Sequence, residues 1–128
     1  MGEPRYPCPC CGYLVFDQEP GSYGICPICF WEDDLSQLRF VRTTGANHVT
    51  LIEAQRNFAR SGASEERLAV HCRKPTAGDR RDESWRPFNP EIDLVEEPIP
   101  GTDYGLTYHH DCTVYYYWRN ETTSLGSG

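Results

Sequence analysis

No apolar run in the sequence approaches the roughly 20 residues needed to cross a bilayer, and Met1 to Pro7 has no apolar core of the kind a secretory signal carries. These absences set the expectation of a cytoplasmic protein that makes no membrane contact. Positive charge is also scarce: 12 Lys+Arg stand against 19 Asp+Glu, for a net charge of -7. A chain this acidic repels phosphate polymers on average, which counts against a nucleic-acid reader. An even cysteine count is missing too, since there are 7, and four of them stand in paired C-x-x-C spacing. In a reducing compartment that pattern reads as metal ligation rather than a disulfide framework.

What is present fits one domain. A length of 128 residues with 38% hydrophobic content can bury a modest core. The mean hydropathy of -0.63 and the 10 prolines point to few regular elements and much loop. We expect a single zinc-ribbon-based domain over 1–119, with a metal module at about 6–34, helices at about 51–74, a long loop over 76–103 and a strand at about 107–118. Residues 120–128 read as a frayed tail, and the ending Leu125-Gly126-Ser127-Gly128 has the composition of an appended linker.

The strongest chemical signal is Cys8-Pro9-Cys10-Cys11-Gly12 together with Cys26-Pro27-Ile28-Cys29. A Cys-x-x-Cys turn delivers two sulfurs to one ion while its backbone N–H groups point at them, and two such turns close a tetrahedron. The expected ligands of one zinc ion are therefore Cys8, Cys11, Cys26 and Cys29. Four thiolates leave no open coordination position, so the ion is structural and does not activate water. A redox dithiol normally opens a helix after a strand, and two copies joined by a hairpin do not match that setting. Between the pairs, Tyr13 to Phe16 and Tyr23 to Ile25 flank the turn residues Glu19 to Ser22 and suggest that hairpin. Cys10 reads as a spectator thiol, and Phe30 occupies a position where the turn favours glycine.

Thr50 and Glu53 have the spacing of a capping box, followed by an apolar stripe of Leu51, Ile52, Ala54, Gln55, Phe58 and Ala59 that ends at Gly62. A helix is expected at about 51–60. Ser64, with Glu65 and Glu66 in the first turn, predicts a second helix with Leu68, Ala69 and Cys72 facing inward, stopped by Pro75. Pro87, Pro90, Pro98 and Pro100 predict a long loop with a short extended piece at Ile92 to Val95. The β-forming run Thr113 to Trp118 predicts a C-terminal strand, with Tyr115 and Tyr117 on one face and Tyr116 and Trp118 on the other.

Taken together, Tyr6 to Gly12, Glu19 to Tyr23 and Cys26 to Asp34, followed by Gly45-Ala46-Asn47, Leu51 to Phe58 and Gly62-Ala63-Ser64, resemble the bacterial cysteine-rich CPCC family over about residues 6–75. The resemblance implies a rubredoxin-like or zinc-ribbon fold and a metal site at the matching cysteines. It implies no enzymatic activity. The fold class expected is small α+β: a four-cysteine zinc ribbon with a rubredoxin-like hairpin, then two helices and a C-terminal β-strand.

Other residues carry weaker signals. His71, Cys72, His109, His110 and Cys112 have the chemistry of a second metal site, although adjacent histidines on a strand point to opposite faces. The same set offers a Cys–His pair, with no orienting third residue to make it catalytic. Glu91, Asp93, Glu96 and Glu97, with Glu32, Asp33 and Asp34, can present an acidic face, and Tyr116 and Trp118 an aromatic one. From these we expect a zinc-stabilised, non-catalytic protein-binding module. Its expected role is that of an immunity-type or adaptor protein masking a basic toxin or nuclease. One alternative is a nucleic-acid-associated zinc ribbon that uses Arg73, Lys74, Arg80 and Arg81 beside Trp85. Another is a thiol-dependent enzyme acting through Cys10 or Cys72.

Overall fold

Each Cys-x-x-Cys segment turns back on itself by the same two backbone bonds, as seen in a computed structural model that describes residues 5–119. In the first turn Gly12 N donates to Cys8 O (2.7 Å) and Cys8 N to Tyr13 O (2.9 Å). In the second, Phe30 N donates to Cys26 O (2.8 Å) and Cys26 N to Trp31 O (2.9 Å). Because each turn reverses the chain, its own flanks pair. β1 (Tyr6–Pro7) runs antiparallel to β2 (Leu14–Phe16), and Ile25 bridges Glu32. The hairpins therefore close over each cysteine turn, not between the two turns as the sequence suggested. The segment from Asp17 to Gly24 is the connection, bent at Gly21 with φ 97°.

Asp34 starts a helix where only loop was expected. Its carboxylate accepts from Ser36 N (2.8 Å) and Ser36 Oγ (2.7 Å), capping α1 (Leu35–Arg39). The predicted capping box forms at α2 (Leu51–Ser61): Thr50 Oγ1 accepts from Glu53 N, and the Glu53 carboxylate accepts from Thr50 N. Gly62, at φ 81°, ends it in the left-handed conformation that lets its N–H reach Phe58 O.

Two sequence expectations give way beyond α2. The second α-helix is instead a 3₁₀ stretch, Glu66–His71, with no buried residue, and Ser64 does not cap it. Ser64 is already tied to other elements: its N–H donates to Cys29 O (2.8 Å) and its carbonyl accepts from Asn57 Nδ2 (2.8 Å). Cys72 lies half-buried and Ala69 exposed rather than inward.

The C-terminal strand is also replaced, by 3₁₀ turns at Cys112–Tyr115 and Tyr117–Arg119. Asp111 nucleates the first by accepting from Thr113 N and Oγ1 (3.0 and 2.6 Å). Strand alternation fails with it. The consecutive Tyr116, Tyr117 and Trp118 are all buried, and Tyr116 stacks on Trp118 at 4.8 Å.

The long segment from Thr76 is irregular, as its prolines predicted, but it is pinned. Asp82 N donates to Gly12 O (2.8 Å), Leu14 N to Arg80 O (2.8 Å), and Phe88 N to the Gln55 side chain (2.8 Å). The core thus joins both cysteine turns, Trp31, Leu38, Val41, Leu51 and Ala54 to Phe88 and Tyr116 to Trp118 from the far end of the chain. Among the described residues no helix is long and apolar enough to cross a membrane. The tail expected at 120–128 lies outside the described residues.

Candidate metal centre

The two turns face each other and place Cys8, Cys11, Cys26 and Cys29 with their sulfurs all within 4.8 Å of one another. Cys8 Sγ lies 3.6 Å from Cys29 Sγ, and Cys11 Sγ 3.7 Å from Cys26 Sγ. These distances are too long for disulfides, whose sulfurs sit about 2.05 Å apart. They match a tetrahedron edge, since four sulfurs at about 2.3 Å from one ion are roughly 3.7 Å apart. The donors fit a metal ion. All four cysteines are wholly buried.

Ile28 N and Cys29 N both point at Cys26 Sγ (3.4 Å each), supplying N–H donors to a thiolate. Hydrogen bonds from Cys11, Cys29 and Cys8 hold the Cys26 thiol far below its ordinary range, with the Cys29 backbone N–H adding to them. Burial drives Cys8 and Cys29 well above theirs. Four buried thiolates packed this closely repel one another and need a cation at their centre.

At the position after the second cysteine, both turns adopt positive φ: 82° at Gly12 and 69° at Phe30. Glycine meets that demand freely, whereas phenylalanine is strained there. Phe30 stacks on His71, with ring centroids 5.0 Å apart. Gly12 serves a second purpose. A Cβ on it would sit 2.6 Å from Trp85 Cδ2, so the indole lies flat on the turn.

Residues far along the chain hold the first turn from outside. Pro9 O accepts from Gln55 Nε2 and Trp85 Nε1 (3.0 Å each), and Cys11 O from Arg81 Nε (2.8 Å). Gln55 also donates to Tyr117 Oη (2.8 Å), which donates to Arg86 O (2.6 Å). No sequence motif marked Gln55, which reads as one more position on the apolar stripe of α2.

The remaining candidates do not converge. Among the described residues, the four-cysteine group is the one cluster of three or more ligand side chains close enough to share an ion. His71 is taken up by Phe30, and the Cys72 and Cys112 thiols donate to Leu68 O (3.4 Å) and His109 O (3.6 Å). His109 and His110 are exposed. Cys10 is wholly buried beside the four ligands.

The expected acidic face is largely paired. Arg86 holds the buried Asp93 through two bonds of 2.7 Å, Arg39 grips Glu96, and Arg42 lies 3.4 Å from Glu97; Glu91, Glu96 and Glu97 remain exposed. Asp33 and Asp34 are buried and accept from Ser22 and Ser36. Burial raises the Asp33 carboxyl above its ordinary value against those bonds. Tyr116 and Trp118 belong to the core.

Compared with known protein families, residues 6–79 match the sequence model described as cysteine-rich CPCC, a span that takes in both turns, α1, α2 and the 3₁₀ stretch after them. No curated protein matches the chain.

Proposed function

The chain belongs to the cysteine-rich CPCC family, and from that premise we propose that Cys8, Cys11, Cys26 and Cys29 hold one structural zinc ion in a non-catalytic protein-binding module of adaptor type. The observation that supports the metal site in this reading is the set of four wholly buried sulfurs within 4.8 Å of one another. Soft thiolate donors in a tetrahedron select zinc or iron, and a full complement of protein ligands leaves no position for water or substrate. Zinc would link two short hairpins that cannot bury enough surface alone.

A thiol-dependent enzyme draws less support. Burial pushes the Cys10 and Cys72 thiols upward; Cys10 is wholly buried and Cys72 already donates to Leu68 O. A nucleophilic cysteine needs the opposite surroundings. The masking of a basic toxin draws less support as well, because arginines of this chain pair with Asp93, Glu96 and Glu97.

Metal analysis of the full chain purified without chelator tests the reading. One zinc per chain is expected, with no visible absorption. An iron-thiolate absorption band would replace zinc by iron, and a folded chain with no bound metal would overturn the site.

A further inference from the structure

Five of the chain's 12 Lys and Arg residues gather on one face, although the sequence is acidic overall. Two neighbouring clefts of about 420 and 370 Å³ share Arg5, Leu14 and Arg80 in their walls. Arg81 and Arg119 line the first cleft and Arg73 the second, with Lys74 next along the chain. Folding creates this face. Arg5 enters from before β1, Arg80 and Arg81 lie alongside β2 through the Leu14–Arg80 bond and the Tyr13–Arg81 bridge, and Arg119 comes from the last turn.

The charges on this face are not used up internally. Among the described residues no carboxylate pairs with Arg5, Lys74 or Arg80, in contrast to the arginines that hold the 93–97 segment. Arg81 is held rigid, its guanidinium 4.9 Å from the centroids of both Tyr13 and Trp85, while its Nε donates to Cys11 O. The face already binds carboxylates of its own. Arg73 clasps Asp79 through two bonds of 2.8 Å, and Arg119 reaches Asp82 at 2.8 Å. The fork of guanidinium donors suits such planar anions.

We propose that the Arg5–Arg80 face is the surface on which this protein binds an Asp- or Glu-rich segment of a protein partner. The proposal rests on the protein-binding reading above and names the partner's chemistry. Two features favour a carboxylate segment over a nucleic acid. Asp79, Asp82 and Glu83 are interspersed among the arginines, and they oppose a continuous phosphate backbone while leaving gaps for discrete carboxylates. The net charge of -7 acts at long range against a long polyanion, whereas a short segment senses the charges within about 8 Å at physiological salt.

The test uses the full zinc-loaded chain and fluorescence anisotropy with three labelled probes of equal length: an alternating Glu-Gly peptide, its Gln-Gly counterpart and a single-stranded oligonucleotide. Wild type is expected to bind the glutamate peptide, more weakly as salt rises, and to leave the glutamine peptide free. The Arg5→Glu/Arg80→Glu double variant is expected to lose about tenfold or more in affinity. The control Arg56→Glu/Arg60→Glu, on the exposed side of α2, is expected to lose little. Zinc content and circular dichroism of each variant separate loss of the face from loss of the fold. Tighter binding of the oligonucleotide, equal binding of both peptides, or an unaffected double variant would each overturn the proposal. Affinity capture of a cellular protein that persists in the double variant would also overturn it while leaving the protein-binding reading intact; a chain without zinc would defeat the metal reading itself.

Discussion

The two cysteine turns and the segment from Asp93 to Tyr115 are held in place by opposite means. In the turns, four sulfurs and a few backbone bonds close within loops of 15 to 21 residues, and every ligand is buried. In the later segment, arginines of the body reach out to grip carboxylates and rings. Arg39 binds Glu96, 57 residues away, donates to Thr107 Oγ1 (2.9 Å), and lies within 5.5 Å of the ring centroids of Tyr104, Tyr108 and Tyr115. That segment leaves Leu94, Ile99 and Leu106 exposed. Converging sulfurs organise a small volume completely, whereas cation–π contacts and ion pairs organise a large surface thinly.

The contrast can be broken at the turns first. Cys26→Ser, or strong chelation, is expected to abolish cooperative unfolding, since structural zinc supplies on the order of 10 kcal/mol in small metal-stabilised folds. Differential scanning calorimetry with and without chelator checks this, and an unchanged transition would refute a metal-dependent head. Gln55→Ala probes the joint between the two regions. It leaves Phe88 N without its acceptor and removes one of two donors to Pro9 O. A loss of about 3 kcal/mol in urea unfolding is expected, with zinc retained.

Arg39→Ala releases the later segment instead of the turns. It should cost about 2 kcal/mol and speed amide exchange over residues 94–115 while exchange in the turns stays slow. Equal acceleration in both regions would show that they open as one unit. The smallest effect is expected at Asp82. Burial raises its carboxyl, but donors from Trp118, Ser84 and Arg119 outweigh burial and leave it below its ordinary value. A folded value below the unfolded one, near 3.9, means the stabilisation is present above about pH 4 and fades as pH falls through the folded value. The gap between wild type and Asp82→Asn, about 1 kcal/mol, should therefore be full at pH 6 and shrink below pH 4. Urea unfolding followed by tryptophan fluorescence at each pH reads it.

The sequence disclosed what is local. The cysteine spacing, the Thr50–Glu53 box and the Gly62 stop each need fewer than five residues to be read, and each has its structural counterpart. The Asp34 cap of α1 was equally local, but its carboxylate was read as part of an acidic run. The aromatic run Tyr115 to Trp118 misled because β propensity requires a partner edge, and Asp111 turns the chain before one is met. The pairing of Arg39 with Glu96 and of Arg86 with Asp93 has no sequence signal of its own. Charged residues in a proline-rich loop look solvated until the body that binds them is placed. The internal partners of the acidic residues were hidden for the same reason, and so was the cationic face, which gathers residues from 5 to 119.

The unequal residues at the two left-handed positions give the four-cysteine head a front and a back. Gly12 lies roofed by Trp85, which donates to Pro9 O and carries Arg81 on its ring, whereas Phe30 stacks on an exposed His71 beside an exposed Pro27. An oxidant arriving from solvent would therefore meet the Cys26–Cys29 turn first, and the Cys8–Cys11 turn would be the last it reached.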